Sequence, residues 1–287
     1  MITEVWSPPH PIDLGVSIAR YSHWGEDLLN VVDGGALYRV NQSGDPYRIC
    51  QRSTGEMQID TSGDIGPAVA EAQYRLSASL PLSEVQRLGE RVPSVAAQLA
   101  RMPGYRPPMS NGVLESLMGS ISAQQVNLRW AGTTRNRLVQ RYGVRHTFDG
   151  VAVWECPAPE VLATAEPEDI REMQYTTRKS EYIIASARAV RDGMLSALES
   201  ASDAEVIDRI TSVRGLGRWT AEWYLARTLA RPGAIAAGDL GVRKAVSRFV
   251  AGSDEILSES EVRTLTSDWG DGGNWAIHLL LEALSAA

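Results

Sequence analysis

Between residues 205 and 231 the chain carries one helical apolar pattern that is broken at a single point. Val206, Ile207 and Ile210 recur at helical spacing, Gly215-Leu216-Gly217 interrupts them, and Ala221, Tyr224, Leu225, Thr228 and Leu229 resume the pattern. Apolar residues three and four apart place one helix face against a core, and paired glycines break such a helix. The segment therefore reads as helix, tight hairpin, helix. Glycine permits the backbone of a tight turn and leaves main-chain N–H groups unobstructed. At a helix start, those donors and the positive end of the dipole suit an oxyanion such as phosphate. Taken alone, Gly-X-Gly serves equally well as a plain joint between two packed helices.

The rest of the chain is organised around that element. Short apolar stretches at 28–32, 36–40 and 47–50 are separated by the turn chemistry of Asp33-Gly34-Gly35 and Ser43-Gly44-Asp45-Pro46. The alternation in Ala72–Ala78 reads as a half-buried strand. Leu82, Val85, Leu88, Val92, Val95 and Leu99 change the period to helical, and the Pro-rich joint 102–108 leads into a long amphipathic run over 112–141. Further helices are predicted over about 159–173, 179–193, 203–212, 218–230, 240–250, 258–268 and 274–285. The fold class is α+β, mostly α: an N-terminal antiparallel sheet plus helix over 1–105, and a helical domain over 106–287.

Charge is distributed against this frame. Of 287 residues, 28 are Lys or Arg and 35 are Asp or Glu, a net −7, which as an average argues against a nucleic-acid partner. Locally the balance inverts. Residues 121–145 hold five arginines and no acid, residues 205–250 hold eight bases against four acids, and residues 251–287 hold one base against seven acids. Two basic islands thus sit in an acidic body. Two cysteines, Cys50 and Cys156, exclude a four-cysteine zinc site or iron–sulfur cluster from this chain alone. The four histidines have no ligand spacing. No apolar run reaches the roughly 20 residues needed to span a bilayer, and the N-terminus lacks the features of a signal peptide. A cytoplasmic protein, nucleoid-associated in a prokaryote and without membrane contact, is expected.

About 20 residues after the hairpin comes Gly238-Asp239-Leu240-Gly241-Val242-Arg243-Lys244. Asp before a helix is a common N-cap; it also places a carboxylate to act on a nucleotide gripped at the hairpin. Gly-Leu-Gly-Arg-Trp-Thr-Ala at 215–221, followed by this stretch, resembles the signature of the helix-hairpin-helix DNA glycosylases. Within them it is most similar to the 3-methyladenine DNA glycosylase II (AlkA-type) branch. Ile121–Val126, Cys156–Ala163 and Arg178–Ile183 resemble further segments of that family.

The resemblance implies hydrolysis of the N-glycosidic bond of alkylated purines after base flipping, in base-excision repair, with damaged double-stranded DNA as partner and the protein expected as a monomer. It implies Asp239 as the catalytic residue. Bifunctional relatives carry Lys where this chain has Trp219, so no lyase activity is expected. Trp219 and Trp223, four apart on one face, together with Trp275, are candidates for the base pocket; as helical tryptophans they suit a core equally well. Leu280 stands where the family often has a pocket tryptophan.

Gln124 and Gln125, read as opening a long helix, are wedge candidates for the gap left by a flipped base. Arg214, Gly215, Leu216, Gly217, Arg218, Thr220 and Arg243 are the remaining DNA-contact candidates. No cofactor is expected, apart from a structural Na+ or K+ at the carbonyls of Gly215 and Gly217; no other metal is expected. Two alternatives stay open: a non-catalytic lesion- or structure-binding protein on the same scaffold, and a glycosylase for deaminated bases such as hypoxanthine or uracil.

Overall fold

The computed structural model describes residues 1–78, 80–110 and 112–286. Strands β1 (Ile2–Trp6), β2 (Val31–Asp33), β3 (Ala36–Val40), β4 (Pro46–Gln51) and β5 (Met57–Thr61) form one antiparallel sheet in the order β1-β5-β4-β3-β2. Helix α1 (Leu14–Ile18) follows β1, and α2 (Ile65–Arg75) packs Ala68 and Ala72 on Leu37, Tyr47, Ile49, Met57 and Ile59 of the sheet. The opposite face buries Ala36, Tyr38 and Val40 against Phe148 and Val153. Those two belong to the hairpin of β6 (Arg145–Phe148) and β7 (Val151–Trp154).

The strand expected at Ala72–Ala78 is instead the end of α2 and the turn after it. Ala72 and Leu76 are four apart as well as even-numbered, and a seven-residue window cannot separate the two periods. Ala68 and the Asp64 carboxylate, which accepts from Gly66 N–H at 3.0 Å, tip the balance to helix.

The helical part comprises α3 (Leu82–Arg91), α4 (Pro93–Arg101), α5 (Val113–Ala123), α6 (Leu128–Tyr142), α7 (Pro159–Ala163), α8 (Pro167–Arg171) and α9 (Thr177–Arg191). It continues with α10 (Asp203–Thr211), α11 (Arg218–Arg227), α12 (Leu240–Val246), α13 (Glu259–Leu265) and α14 (Gly273–Ser285). The run read as continuous over 112–141 breaks after Ala123, because Asn127 caps a new helix by accepting from Trp130 N–H at 2.8 Å. Gln124 therefore closes one helix, and Gln125 adopts a left-handed φ of 54° in the connection. Pro167 likewise splits the segment 159–173 into two short helices.

Two helical cores result. One gathers α5, α6, α9 and α10; the other gathers α3, α4, α12 and α14. Helix α11 lies between them, buried on all sides from Thr220 to Ala226. Ala221, Tyr224 and Leu225 enter the first core, whereas Trp223 and Ala226 enter the second. A third, ionic seam joins the sheet to the helices. Arg39 and Arg75 are buried with Glu71 on α2 and Glu115 on α5, with Arg39 Nη2 2.9 Å from Glu115 Oε2. Carboxylates on both sides keep these buried guanidinium charges paired.

Candidate active site and DNA interface

Helix α10 starts in a capping box between Ser202 and Glu205 and ends at Ser212. The chain then turns, with Val213 and Leu216 anchored in the first core. Gly215 has a φ of +90°, and a Cβ there would lie 2.1 Å from the Tyr182 ring, so glycine is required on two counts. Gly217 differs. Its backbone is extended, and a Cβ would meet nothing within 4 Å. Its missing side chain leaves open the start of the ten-residue helix α11, which no side chain caps. The hairpin thus offers free N–H groups at a helix N-terminus, an arrangement that suits a phosphate.

The side chains predicted to grip DNA divide into two sets. Arg214 and Arg218 are well exposed, with ion pairs to Glu181 and Glu222, each at 2.8 Å. Gln125 is exposed. Gln124, by contrast, donates its amide to the carbonyl of Gly215 at 3.1 Å, which sets the start of the 121–145 island beside the hairpin. Leu216 and Thr220 are buried, so any contact from them is through the backbone. Arg243 donates to the Leu257 carbonyl and ties α12 to the next loop. Within the island, Arg135 is paired with Asp27 at 2.8 Å, whereas Arg129 is exposed.

Asp239 caps α12, accepting from Val242 N–H on Oδ1 at 3.1 Å. Gly241 makes room for the carboxylate, since a Cβ there would stand 3.0 Å from Oδ1. The other oxygen, Oδ2, accepts from two indoles: Trp219 Nε1 at 2.7 Å and Trp223 Nε1 at 3.1 Å. The tryptophans do share a face, and that face meets the carboxylate through their N–H edges. Asp239 and Trp219 are both partly accessible, while Trp223 is buried. Trp275 lies apart in the second core, 2% exposed, with Arg106 stacked on its ring at 4.7 Å. Leu280 is fully buried in the same core.

Behind the indoles sits a group of side chains that sequence reasoning missed. The Arg227 guanidinium lies 3.7 Å over the Trp223 ring. Burial, together with the neighbouring Arg20 charge, lowers its pKa to about 9, while Asp239 opposes the shift; it remains charged at neutral pH. His278 meets the same indole edge-on, with ring centroids 5.9 Å apart. Burial, then the charges of Arg227 and Arg20, push His278 well below its ordinary 6.5, so it is a neutral imidazole. Both ring nitrogens, and Arg227 Nε, are buried without a hydrogen-bond partner among the described residues. Position 227, four residues after Trp223 on the same helix face, was the available signal.

The descriptive family model of HhH-GPD superfamily base excision DNA repair proteins matches residues 118–270. A Bacillus subtilis protein, YfjP, provisionally named a DNA-3-methyladenine glycosylase, is 34% identical over 85% of this chain and 86% of its own. The Escherichia coli DNA-3-methyladenine glycosylase 2 is 26% identical over 79% of this chain and 80% of its own. The fold is shared with the 3-methyladenine DNA-glycosylase from Archaeoglobus fulgidus, at a TM-score of 0.86 and 22% identity, covering 100% of this chain and 99% of that one. No helix among the described residues is long and apolar enough to cross a membrane. The chain belongs to the HhH-GPD superfamily of base excision DNA repair proteins, on its AlkA-type branch.

Proposed function

We propose that this chain, a base-excision DNA glycosylase by family, hydrolyses the N-glycosidic bond of 3-methyladenine-type purines flipped from duplex DNA, and acts as a monomer. The observation that carries the reading is Asp239, held beside the hairpin by two indole N–H groups. Breaking the bond between C1′ and the base nitrogen sends the electron pair to the leaving base and positive charge to the sugar. A fixed carboxylate about 4 Å away, at an effective dielectric of about 20, is worth about 4 kcal/mol against that charge. Water then adds to C1′ and loses its proton, leaving an abasic site. The position of the lyase amine is taken by Trp219, so the strand is not cut.

The hairpin N–H groups, with Arg214 and Arg218, hold the backbone. Gln125, exposed and free of the hairpin, is the wedge, while Gln124 positions the loop that carries it. Trp219 offers its partly open ring to the base. The carbonyls of Gly215 and Gly217 already accept from Gln124 and from Ala221 N–H. Each keeps a second lone pair, so a monovalent cation would share them with these donors and take no part in the chemistry.

Arg227 favours a second reading, in which neutral deaminated bases are preferred. Its charge occupies the Trp223 face that a cationic purine would seek. Single-turnover excision from duplexes holding 3-methyladenine, 7-methylguanine, hypoxanthine or uracil separates the two. Asp239→Asn is expected to slow excision about a thousandfold while retaining DNA binding. Unchanged excision would remove Asp239 from the mechanism, and binding without release of any base would leave a lesion-binding protein.

A further inference from the structure

A second site lies at the junction of the sheet with α3 and shares no residue with the hairpin or the Asp239 cluster. There a cavity of about 340 Å³ is walled by Trp6, Pro8, Ile12 and Leu80. Arg106 forms part of its lining and is only 4% exposed. Its guanidinium stacks on Trp275, and its backbone N–H donates to Ser17. The guanidinium has no hydrogen-bonding acceptor or carboxylate among the described residues. Arg39 and Arg75 are buried against Glu71 and Glu115, whereas Arg106, like Arg227 on Trp223, has an indole beside it and no ion pair. A buried unpaired cation is costly, which is why buried charges are normally paired. Burial alone acts on Arg106, lowering its pKa with no acid opposing the shift.

A second feature points the same way. Leu82 and Ser83, the first residues of the ten-residue helix α3, also line the cavity. The N-cap is Pro81, which provides no capping side chain. The only acid of that first turn, Glu84, is engaged by Arg87. The uncapped first turn of α3 and Arg106 thus line one and the same cavity, and both suit an oxyanion.

We propose that this cavity binds a small oxyanion, a carboxylate or phosphate carried on an apolar body, with Arg106 as its counter-ion. The anionic group sits between the guanidinium and the start of α3, and the body rests on Trp6 and Leu80. The site is independent of the glycosylase reading and of DNA.

Calorimetric titration of the full chain with phenyl phosphate, benzoate and inorganic phosphate tests this, with thermal melting of each variant as the measure of folding. The wild-type chain is expected to bind phenyl phosphate or benzoate more tightly than inorganic phosphate. The better of the two shows which oxyanion the site prefers. Ser83→Glu places a carboxylate on the exposed first turn of α3, on the cavity lining, and is expected to weaken binding at least tenfold in a chain that melts normally. Arg106→Leu is expected to weaken it about ten- to a hundredfold. Three results overturn the proposal: no binding by the wild-type chain, unchanged binding by a normally melting Ser83→Glu or Arg106→Leu chain, or displacement of the ligand by duplex DNA.

Discussion

The indole nitrogen of Trp219 lies 2.7 Å from Oδ2 of Asp239, a direct bond between the first turn of the hairpin's second helix and the cap of α12. A residue that looks in sequence like a stacking surface is also the donor that fixes the carboxylate. The edge of the ring orients the anion, and its face stays half open.

Trp219→Phe keeps the aromatic face and removes the donor. Loss of one hydrogen bond to a charged group, about 1.5–3 kcal/mol, is expected to lower the single-turnover rate roughly ten- to a hundredfold. Base binding should change less. Trp223→Phe, whose bond is 3.1 Å, should act in the same direction and more weakly. Equal rates for wild type and both variants would show that neither bond orients the carboxylate.

The two hairpin glycines should separate folding from grip. Gly215→Ala meets both the left-handed φ and the Tyr182 ring, so it should lower stability by at least the roughly 1–2 kcal/mol of the backbone cost alone, read as a lower melting temperature. Gly217→Ala has open space and ordinary backbone angles. It should melt normally and bind DNA more weakly, as measured by fluorescence anisotropy.

His278 predicts an acid limb. The folded imidazole resists protonation, whereas the unfolded chain takes up a proton near 6.5. Its contribution is therefore complete above 6.5 and is lost as pH falls below that value, at about 1.4 kcal/mol per pH unit. His278→Gln should flatten this limb relative to wild type in denaturant melts between neutral pH and pH 5. Parallel curves would assign the limb to other groups.

Salt dependence should tell the arginines apart. Arg214 and Arg129 are exposed, and replacing either with Ala should reduce the slope of log K against log salt by about 0.9 for each phosphate lost. Arg135→Ala should leave that slope nearly unchanged. It should cost about 2 kcal/mol of stability, since Asp27 loses its ion-pair partner and keeps only the hydrogen bonds from Leu29 and Asn30.

Much of this arrangement was legible because it rests on local rules. Gly215, Gly217 and the cap at Asp239 are short-range signals, as is the turn at Asp33-Gly34-Gly35, where both glycines have positive φ. The buried fate of Tyr224 followed from helical spacing alone. What was missed is long-range. Helical spacing sets Arg227 near Trp223, but no local rule buries that pair or brings His278 against the same ring from a helix some fifty residues later. The break at Gln124–Asn127 was hidden because Asn127 reads as an ordinary polar position until the backbone shows it capping Trp130. Gln124 was read as a wedge, and only the fold shows its amide bound to Gly215.

Helix α11 has the hairpin at its first residue and a different core on each flank. A buried helix shared in this way is a beam common to two structures, and neither half of the helical part can shift on DNA without carrying it along. The hairpin and, through two indole bonds, Asp239 are therefore tied to one helix. For the proposed reaction this means that the protein sets the distance along the strand and the DNA is the partner that has to give way.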